Sequence, residues 1–571
     1  LLSNVLENKI KSPEDYGVKL HINKPAWFAP NLPVVIDCET DEQDNFVGLA
    51  MTQDGKHIYY WSDWIPEFAD FVGSFKYITH NGKSDIRWLK KWGAKVSYET
   101  IAHDTKMLAY VMDSSLDSYS LKSLVKKYLG IEYQTYKEMV GVGKKKTTLD
   151  KQPIERVGAY CGMDVLATYK LQQYCLKHIS QKQIDYYNNI ELPMYKLLAR
   201  MEDKGVYIDV DYLKKLDAEL GESVEKWDTQ LKKHGDFNPR SPKQLLEIFK
   251  SKGLDIKATD VKTLTQHTSI PLVNDLLNYR KYKKLKSTYT EPFLKASTLP
   301  LIHGRFTQST LTGRLASSKP NLQNIPAPDP EHKRFHADVG TKIRKAFVAP
   351  LGHKLLVLDY SQIEYRLFAH YTQEPVLLEA YKNGEDIHQR TADLIGFPDN
   401  RRLGKTINFA AIYGAGAKRI AETANISEDQ ATKALNKYWT NLPKASAWVT
   451  LTKWKAAKYG YVETILGRII PIQGINSRNK FERWHAERVA VNATIQGSAA
   501  DVIKKAMLDI DKDIMLPDLQ VHDELMFTIE SGSDDTIIYE RIKHLMESAV
   551  KLSVSVEVNG GYGESWAETK Q

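Results

Sequence analysis

LLVLDYSQIE, Leu355–Glu364, sets an unbroken aliphatic run against a carboxylate and then a polar turn. Four consecutive aliphatic residues read as a strand buried on both faces, with Asp359 standing where the strand leaves the core. A second stretch repeats the arrangement. In QVHDEL (Gln520–Leu525), Asp523 lies between the apolar segments of Leu519–Ile529, which read as central strands. A lone strand-end aspartate is commonly a turn cap. Two brought together can bridge a pair of divalent cations.

Between these stretches, RRLGKTINFAAIYG (Arg401–Gly414) reads as one helix stopped by glycine. Arg401, Lys405, Phe409 and Tyr413 recur every four residues, a slowly drifting stripe on one side. Two cations followed by two aromatics suit a triphosphate, then a sugar and base. The competing reading is a basic first turn followed by an aromatic pair in the core.

A separate carboxylate set lies upstream. PVVID (Pro33–Asp37) and HIYYW (His57–Trp61) read as strands, and Asp104 caps a helix through Met107, Leu108 and Val111. Asp37 and Glu39 are two apart on a strand and face the same way. Asp85 follows in HNGKSD, and Tyr160 and Asp164 in YCGMD are four apart on one helix face. Four acids and a phenol can hold two divalent metals and align a water for phosphodiester hydrolysis. GVGKKKTT (Gly141–Thr148) does not have the spacing of a phosphate-binding P-loop and reads as an exposed basic loop.

The 571 residues carry 79 Lys plus Arg against 71 Asp plus Glu, a net charge of +8. Seven basic against fifteen acidic residues from Asp501 onward leave the first 500 residues at +16. A basic body with an acidic end suits a phosphate-gripping protein that also gathers metal-binding carboxylates. At roughly 100–200 residues per domain, three to five domains are expected. Hydrophobic content of 42% and charged content of 26% exclude disordered and collagen-like chains. No apolar run reaches the ~18 residues of a membrane helix, and Leu1–Lys11 does not read as a signal peptide. Three cysteines (Cys38, Cys161, Cys175) without CxxC point to a reducing compartment and no zinc site. Ile190–Lys295 reads as mostly helical and highly charged, with Tyr279–Thr290 a basic helix.

Taken together, these motifs resemble family A DNA polymerases of the bacterial DNA polymerase I large-fragment and phage type. DYSQIE matches motif A, Arg401–Gly414 motif B, and QVHDE motif C. TLTGRLASSKPNLQNIP (Thr310–Pro326) and ERVAVNATIQGSAAD (Glu487–Asp501) resemble the segments gripping the primer–template, and the upstream set resembles a DEDDy 3′→5′ proofreading exonuclease. The similarity runs from about Val34 to Trp566.

The resemblance implies an α/β and α+β multidomain fold, a ribonuclease-H-like exonuclease domain followed by a right-hand polymerase. The implied divisions are exonuclease 1–180, thumb 181–301, palm 302–364 and 488–571, and fingers 365–487. The implied activity is DNA-directed DNA synthesis from a primer 3′-end, a nucleotidyltransferase reaction of DNA replication with exonucleolytic proofreading. Asp359, Asp523 and the Tyr360 carbonyl are implied metal ligands, with Lys405 protonating pyrophosphate. His388, Arg401, Lys405, Phe409, Tyr413, Gln362 and Glu364 are implied to bind the dNTP, with Glu364 excluding a 2′-hydroxyl. Arg314, Asn321, Gln323, Asn324, Arg488, Asn492, Gln496 and His522 are implied to contact the primer–template, partly through minor-groove acceptors. Asp37, Glu39, Asp85 and Asp164 are implied to hold the exonuclease metals, with Tyr160 orienting the water. The cofactor implied is Mg²⁺, two per site, with Mn²⁺ as substitute. The partners are primer–template DNA and dNTPs, for a monomer in the cytoplasm of a bacterial or phage-infected cell, with an organellar source as the alternative. No membrane is expected, and the thumb between Val206 and Thr312 has no insertion that would suit a thioredoxin-type clamp.

Ala410 stands where bacterial relatives have glycine, and Tyr365 where Leu is frequent. A phage-type RNA polymerase is disfavoured by Glu364 and the upstream carboxylates. A catalytically dead DNA-binding factor is disfavoured by intact carboxylates at both sites.

Overall fold

The computed structural model describes residues 11–143, 146–298, 300–326, 337–532 and 534–569. Leu1–Ile10 and Lys144–Lys145 of the basic loop, read above, lie outside the described residues.

The N-terminal unit is built on six strands: β1 Lys19–Ile22, β2 Val34–Thr40, β3 Phe46–Thr52, β4 His57–Trp61, β5 Tyr77–Thr79 and β6 Ile101–Asp104. Their order is β1-β4-β3-β2-β5-β6, with β2 antiparallel to β3 and parallel to β5. This mixed sheet with a central first long strand is the ribonuclease-H-like arrangement. Val34, Val35 and Ile36 are fully buried, so β2 is pinned by its apolar run and delivers Asp37 and Glu39 at its end. Three helices complete the site: α1 Lys83–Lys91, α2 Leu121–Leu129 and the long α3 Ile154–His178, which crosses the sheet.

The next region is helical. Its long helices α4 Val210–Lys232 and α5 Pro271–Leu285 pack together over a small core of their own around Leu245, Phe249 and Leu276. The basic helix read at Tyr279–Thr290 continues beyond α5 through one π-type turn, Lys286–Thr290. That turn faces α4, where Lys286 pairs with Asp217.

A four-stranded antiparallel sheet carries the second carboxylate pair. Its strands are β7 His353–Tyr360, β10 Leu519–Val521, β11 Glu524–Glu530 and β12 Val558–Gly563, in the order β10-β11-β7-β12. A separate hairpin, β8 Tyr461–Glu463 with β9 Ile469–Pro471, lies between them in sequence. Only β11 of the Leu519–Ile529 pair is central; β10 is an edge strand of three residues. Periodicity reports burial but not which neighbour is missing, and all of Leu519–Val521 is buried although its sheet ends there.

Helices α6 Ile363–Thr372, α7 Ile387–Ile395, α8 Arg401–Tyr413 and α9 Lys480–Asp513 share one buried core with this sheet. The Asn400 side chain caps α8 by accepting from the Leu403 N–H at 2.9 Å, and Gly414 ends it. α8 and α7 pack tightly because residue 404 is glycine. A Cβ there would stand 2.0 Å from the His388 carbonyl oxygen. Among the described residues no helix is long and apolar enough to cross a membrane.

Candidate active sites

The first site sits where β2 meets α1 and α3. Asp37, Glu39 and Cys161 present donor atoms within 4.8 Å of one another. Asp85, buried, accepts from the Cys38 N–H at 3.0 Å, which ties α1 to β2. Asp164, also buried, is met by Lys122 Nζ at 2.9 and 3.3 Å and by the Tyr133 hydroxyl. Lys122 reaches the Tyr160 hydroxyl at 3.2 Å and lies 4.7 Å from the Tyr133 and Tyr160 ring centres.

Burial, reinforced by Asp164 and the other carboxylates, holds Asp37 and Glu39 well above the usual carboxylate range. Burial pushes Asp85 up to about 7 against the opposing Cys38 N–H. Burial and the adjacent carboxylates raise the Tyr160 phenol, keeping it a proton donor. Acids crowded at such mutual cost form the donor set that a divalent cation relieves. All five residues read from the sequence therefore converge here. Lys122, Tyr133 and Cys161 were not singled out. Lys122 is one of several lysines in SLKSLVKK, and nothing in that run marks which one turns inward.

The second site lies between the four-stranded sheet and α8. His522 and Asp523 form the two-residue turn of the β10–β11 hairpin, with His522 at φ +56°. Asp359 pairs in register with Glu524, so the turn brings Asp523 beside the end of β7, and the Tyr360 N–H donates to the Asp523 carbonyl at 3.1 Å. Burial, with repulsion from Glu364 and Asp359, pushes Asp523 up to about 7 although Arg314 opposes it. Asp523 Oδ1 is buried without a protein hydrogen-bond partner among the described residues. A buried, unpartnered carboxylate oxygen next to a second carboxylate fits a metal ligand.

A cavity of about 180 Å³ opens above it. Arg314, Gln362, Glu364, His388, Phe409, Tyr413 and Asp523 all line it, joined by Ile363, Tyr365 and Asn408. Glu364 accepts from the Tyr413 hydroxyl at 2.7 Å and from Arg314. Burial, then Glu364, pushes the Tyr413 phenol up to about 12. Gln362 heads α6 at φ +56°, a backbone strain of the kind that collects at functional sites. His388 is buried, and its Nδ1 lies 2.9 Å from Asn408 Nδ2. Burial and the nearby Arg401 and Lys405 lower it to about 4, so it is neutral at pH 7.

The α8 stripe is exposed along its length, Phe409 at 40% and Tyr413 at 37%, so the aromatics are not core filler. Their rings stack at 6.1 Å. Arg401 and Lys405 stand outside the cavity on the same side, and Arg401 Nε donates to Asp386 Oδ2 at 2.6 Å.

Arg488, Asn492 and Gln496 follow at four-residue spacing on α9, grading from exposed to half-buried, with Gln496 bonded to Tyr413. Asn321 and Asn324 are exposed; Asn321 Oδ1 accepts from the Gln323 N–H at 3.0 Å. Gln323 is placed differently from its neighbours. It is buried and donates to Gln520 Oε1 at 2.6 Å, bracing the hairpin from below. Motif reading also missed Arg344, buried 3.9 Å from the Trp566 ring centre and 3.5 Å from Glu524, a countercharge beneath Asp359. Its run, TKIRKAF, carries no chemical signature.

A family model for DNA polymerase family A matches residues 210–568, and one for a 3′-5′ exonuclease matches residues 31–180. DNA polymerase I of Pseudomonas aeruginosa is 34% identical over 86% of this chain and 56% of its own length. That of Synechocystis is 34% identical over 95% and 60%, and the thermostable DNA polymerase I of Thermus thermophilus 36% identical over 71% and 51%. The chain thus spans roughly half to three-fifths of the curated relatives it matches. Among solved structures, the POL domain of Pol1 from M. smegmatis, in complex with DNA primer-template and dNTP, superposes with a TM-score of 0.82. It is 26% identical and covers 97% of this chain and 100% of that one.

Proposed function

The chain belongs to DNA polymerase family A, and from that premise we propose that it is a DNA-directed DNA polymerase with 3′→5′ proofreading exonuclease activity. One observation carries the reading: Asp523, Glu364, Arg314, His388 and Phe409, from five separate stretches of sequence, line one cavity large enough for a nucleotide sugar. The primer–template and dNTP of the Pol1 structure support the same substrates here.

In this reading the chain divides into exonuclease (1–180), thumb (181–301), palm (302–364 and 488–571) and fingers (365–487). Divalent cations, Mg²⁺ with Mn²⁺ as substitute, supply the charge that activates a 3′-hydroxyl or water and offsets charge on phosphate oxygens. Asp359, Asp523 and the Tyr360 carbonyl hold them in the palm; Asp37, Glu39, Asp85 and Asp164 hold them in the exonuclease.

Arg401, Lys405 and neutral His388 receive the triphosphate, and Lys405 gives a proton to leaving pyrophosphate. Phe409 and Tyr413 form the wall against sugar and base, and Glu364 with Gln362 closes the 2′ side. Arg314, Arg488, Asn492, Gln496 and His522, with Asn321, Asn324 and buried Gln323 behind them, hold the primer–template. In the exonuclease, Tyr160 donates to the attacking water and so orients it, with Lys122 fixing the phenol. The protein acts as a monomer in the cytoplasm of a bacterial or phage-infected cell.

Primer extension with Mg²⁺ tests the reading, run with deoxynucleotides and then with ribonucleotides. Template-dependent extension by deoxynucleotides is expected, with digestion of the primer when nucleotides are withheld. No extension under either condition would refute it.

A further inference from the structure

A cluster of buried charge lies away from both carboxylate sites, where segments distant in sequence meet. Arg468, in the turn between β8 and β9, is 1% exposed. Its Nη1 donates to the Tyr110 hydroxyl oxygen at 3.0 Å and to the Leu311 carbonyl at 3.2 Å, and its Nη2 donates to the Thr312 carbonyl. Tyr110, from the exonuclease unit, donates to the Thr310 carbonyl at 2.8 Å. Two side chains from elsewhere thus hold three successive carbonyls just before Arg314.

The backbone makes room for this guanidinium. A Cβ at Gly313, where φ is +76°, would stand 2.8 Å from its central carbon, and one at Gly497 would stand 3.1 Å from Nη2. Both glycines lie in the stretches that resemble primer–template segments. Beneath them Glu191, Asp501 and Lys504 are no more than 1% exposed. Tyr186 donates to Asp501 Oδ1 at 2.7 Å and to Glu191 Oε1 at 3.2 Å, and Lys504 Nζ donates to the same Glu191 oxygen at 2.5 Å. Two cations and two carboxylates balance within the cluster, as buried charge requires. None of these four residues lines the nucleotide cavity.

We propose that Arg468 is a positioning residue of the nucleotide-insertion site: through its grip on the Leu311 and Thr312 carbonyls it fixes Arg314 against Glu364 and beside Asp523. The route is short. Thr310 Oγ1 donates to the Arg314 carbonyl at 2.8 Å and the Gly313 N–H to the Thr310 carbonyl at 3.0 Å, so residues 310–314 form one tight turn. Movement of its carbonyls is movement of Arg314. Tyr110 is the exonuclease unit's contribution to the same clamp, so that unit helps shape the polymerase site. This inference rests on the polymerase reading above.

The test is a double-mutant cycle on single-nucleotide insertion. Lys at 468 keeps the charge but has no planar fork to span two carbonyls. Arg468→Lys is expected to lower kcat/KM for a correct deoxynucleotide on the order of 100-fold, the scale of a misplaced active-site group. It should also relax rejection of ribonucleotides, because Glu364 loses a fixed partner. Exonuclease activity on single-stranded DNA should stay within about threefold, which reports a folded protein.

In an Arg314→Ala background the same substitution should cost less than about threefold more, since the residue it positions is gone. Tyr110→Phe should act in the same direction but less strongly, again only while Arg314 is present, and it carries the cycle alone if Arg468→Lys does not fold. Losses that multiply fully in the Arg314→Ala background, or unchanged ribonucleotide rejection, overturn the positioning role. Failure of the unsubstituted protein to insert any nucleotide would instead overturn the polymerase reading.

Discussion

The Tyr413 hydroxyl donates to Glu364 Oε2 at 2.7 Å while Arg314 takes the other carboxylate oxygen. Glu364 is buried at the head of α6, and Tyr413 closes α8, so one carboxylate joins α6 to the helix expected to hold the nucleotide. Its position is set from both sides. A carboxylate so fixed cannot swing away to admit an extra hydroxyl.

Sugar selection follows from that. A ribose 2′-oxygen pressed against Glu364 would be desolvated without a partner, a cost of about 1–3 kcal/mol, or roughly 5- to 150-fold. Glu364→Ala is expected to raise ribonucleotide insertion relative to deoxynucleotide insertion by that order. Tyr413→Phe should raise it less, because Arg314 still holds the carboxylate. Competition between the two nucleotides at one template position measures both; unchanged ratios would move the gate elsewhere.

The two carboxylate sites share no residue, so they should separate genetically. Asp523→Ala is expected to abolish extension by about 10³-fold or more and leave exonuclease activity intact. Asp37→Ala with Glu39→Ala should do the reverse. Paired extension and digestion assays on one preparation decide it, and extension by the Asp523 variant near the original rate would break the palm assignment.

Much of this was legible in the sequence, and the limits are physical. Asp37, Glu39, Tyr160 and Asp164 could be paired because strand and helix periodicities fix which side chains face together. The α8 stripe was readable for the same reason, and its exposure now separates it from a core pair. The edge position of β10 was not readable, because a short apolar strand looks alike at the edge and in the centre. Lys122, Arg344 and Arg468 were missed for one shared reason. Each is a cation whose partners lie far away in sequence, and only the tertiary fold marks it out.

Metal-free protein should lose stability as pH rises. Asp85 and Asp523 bind protons up to about 7 when folded, against 3.8 as the ordinary value. Asp37 and Glu39 shift the same way. The native state therefore binds more protons than the unfolded chain between about pH 4 and pH 7, and stability falls through that window. In EDTA the melting temperature at pH 8 is expected to lie below that at pH 5.5, and Mg²⁺ should restore it at pH 8. Asp37→Asn with Glu39→Gln should flatten the metal-free slope. A melting temperature that rises from pH 5.5 to pH 8 in EDTA would contradict the burial of these acids.

Lys405 is exposed on α8, one turn from Arg401 and one from Phe409. A cation and proton donor acting on the leaving group contributes in the transition state more than in the ground state. Lys405→Ala is expected to lower the insertion rate by about 100-fold or more, with little change in duplex affinity. Equal losses in a binding titration and a single-turnover assay would place Lys405 on the template strand instead.

Phe409 is 40% exposed, its ring stacked on Tyr413 and 6.2 Å from the His388 ring centre, so it faces the cavity as a smooth wall without a polar group. A deoxynucleotide carries its own 3′-hydroxyl, which can hydrogen-bond to its own phosphate; a dideoxynucleotide leaves that acceptor unpaired. The protein should therefore reject dideoxynucleotides strongly. Phe409→Tyr places a hydroxyl at the wall that can donate the missing bond, and a site offering that bond loses its means of discrimination. The expected result is near-equal use of the two nucleotides by the Tyr variant, with deoxynucleotide insertion little changed. The measurement is a single-position competition in an Asp37→Ala, Glu39→Ala background, so that proofreading cannot remove the terminator. Similar deoxy-to-dideoxy ratios for the Phe and Tyr proteins would take Phe409 away from the sugar.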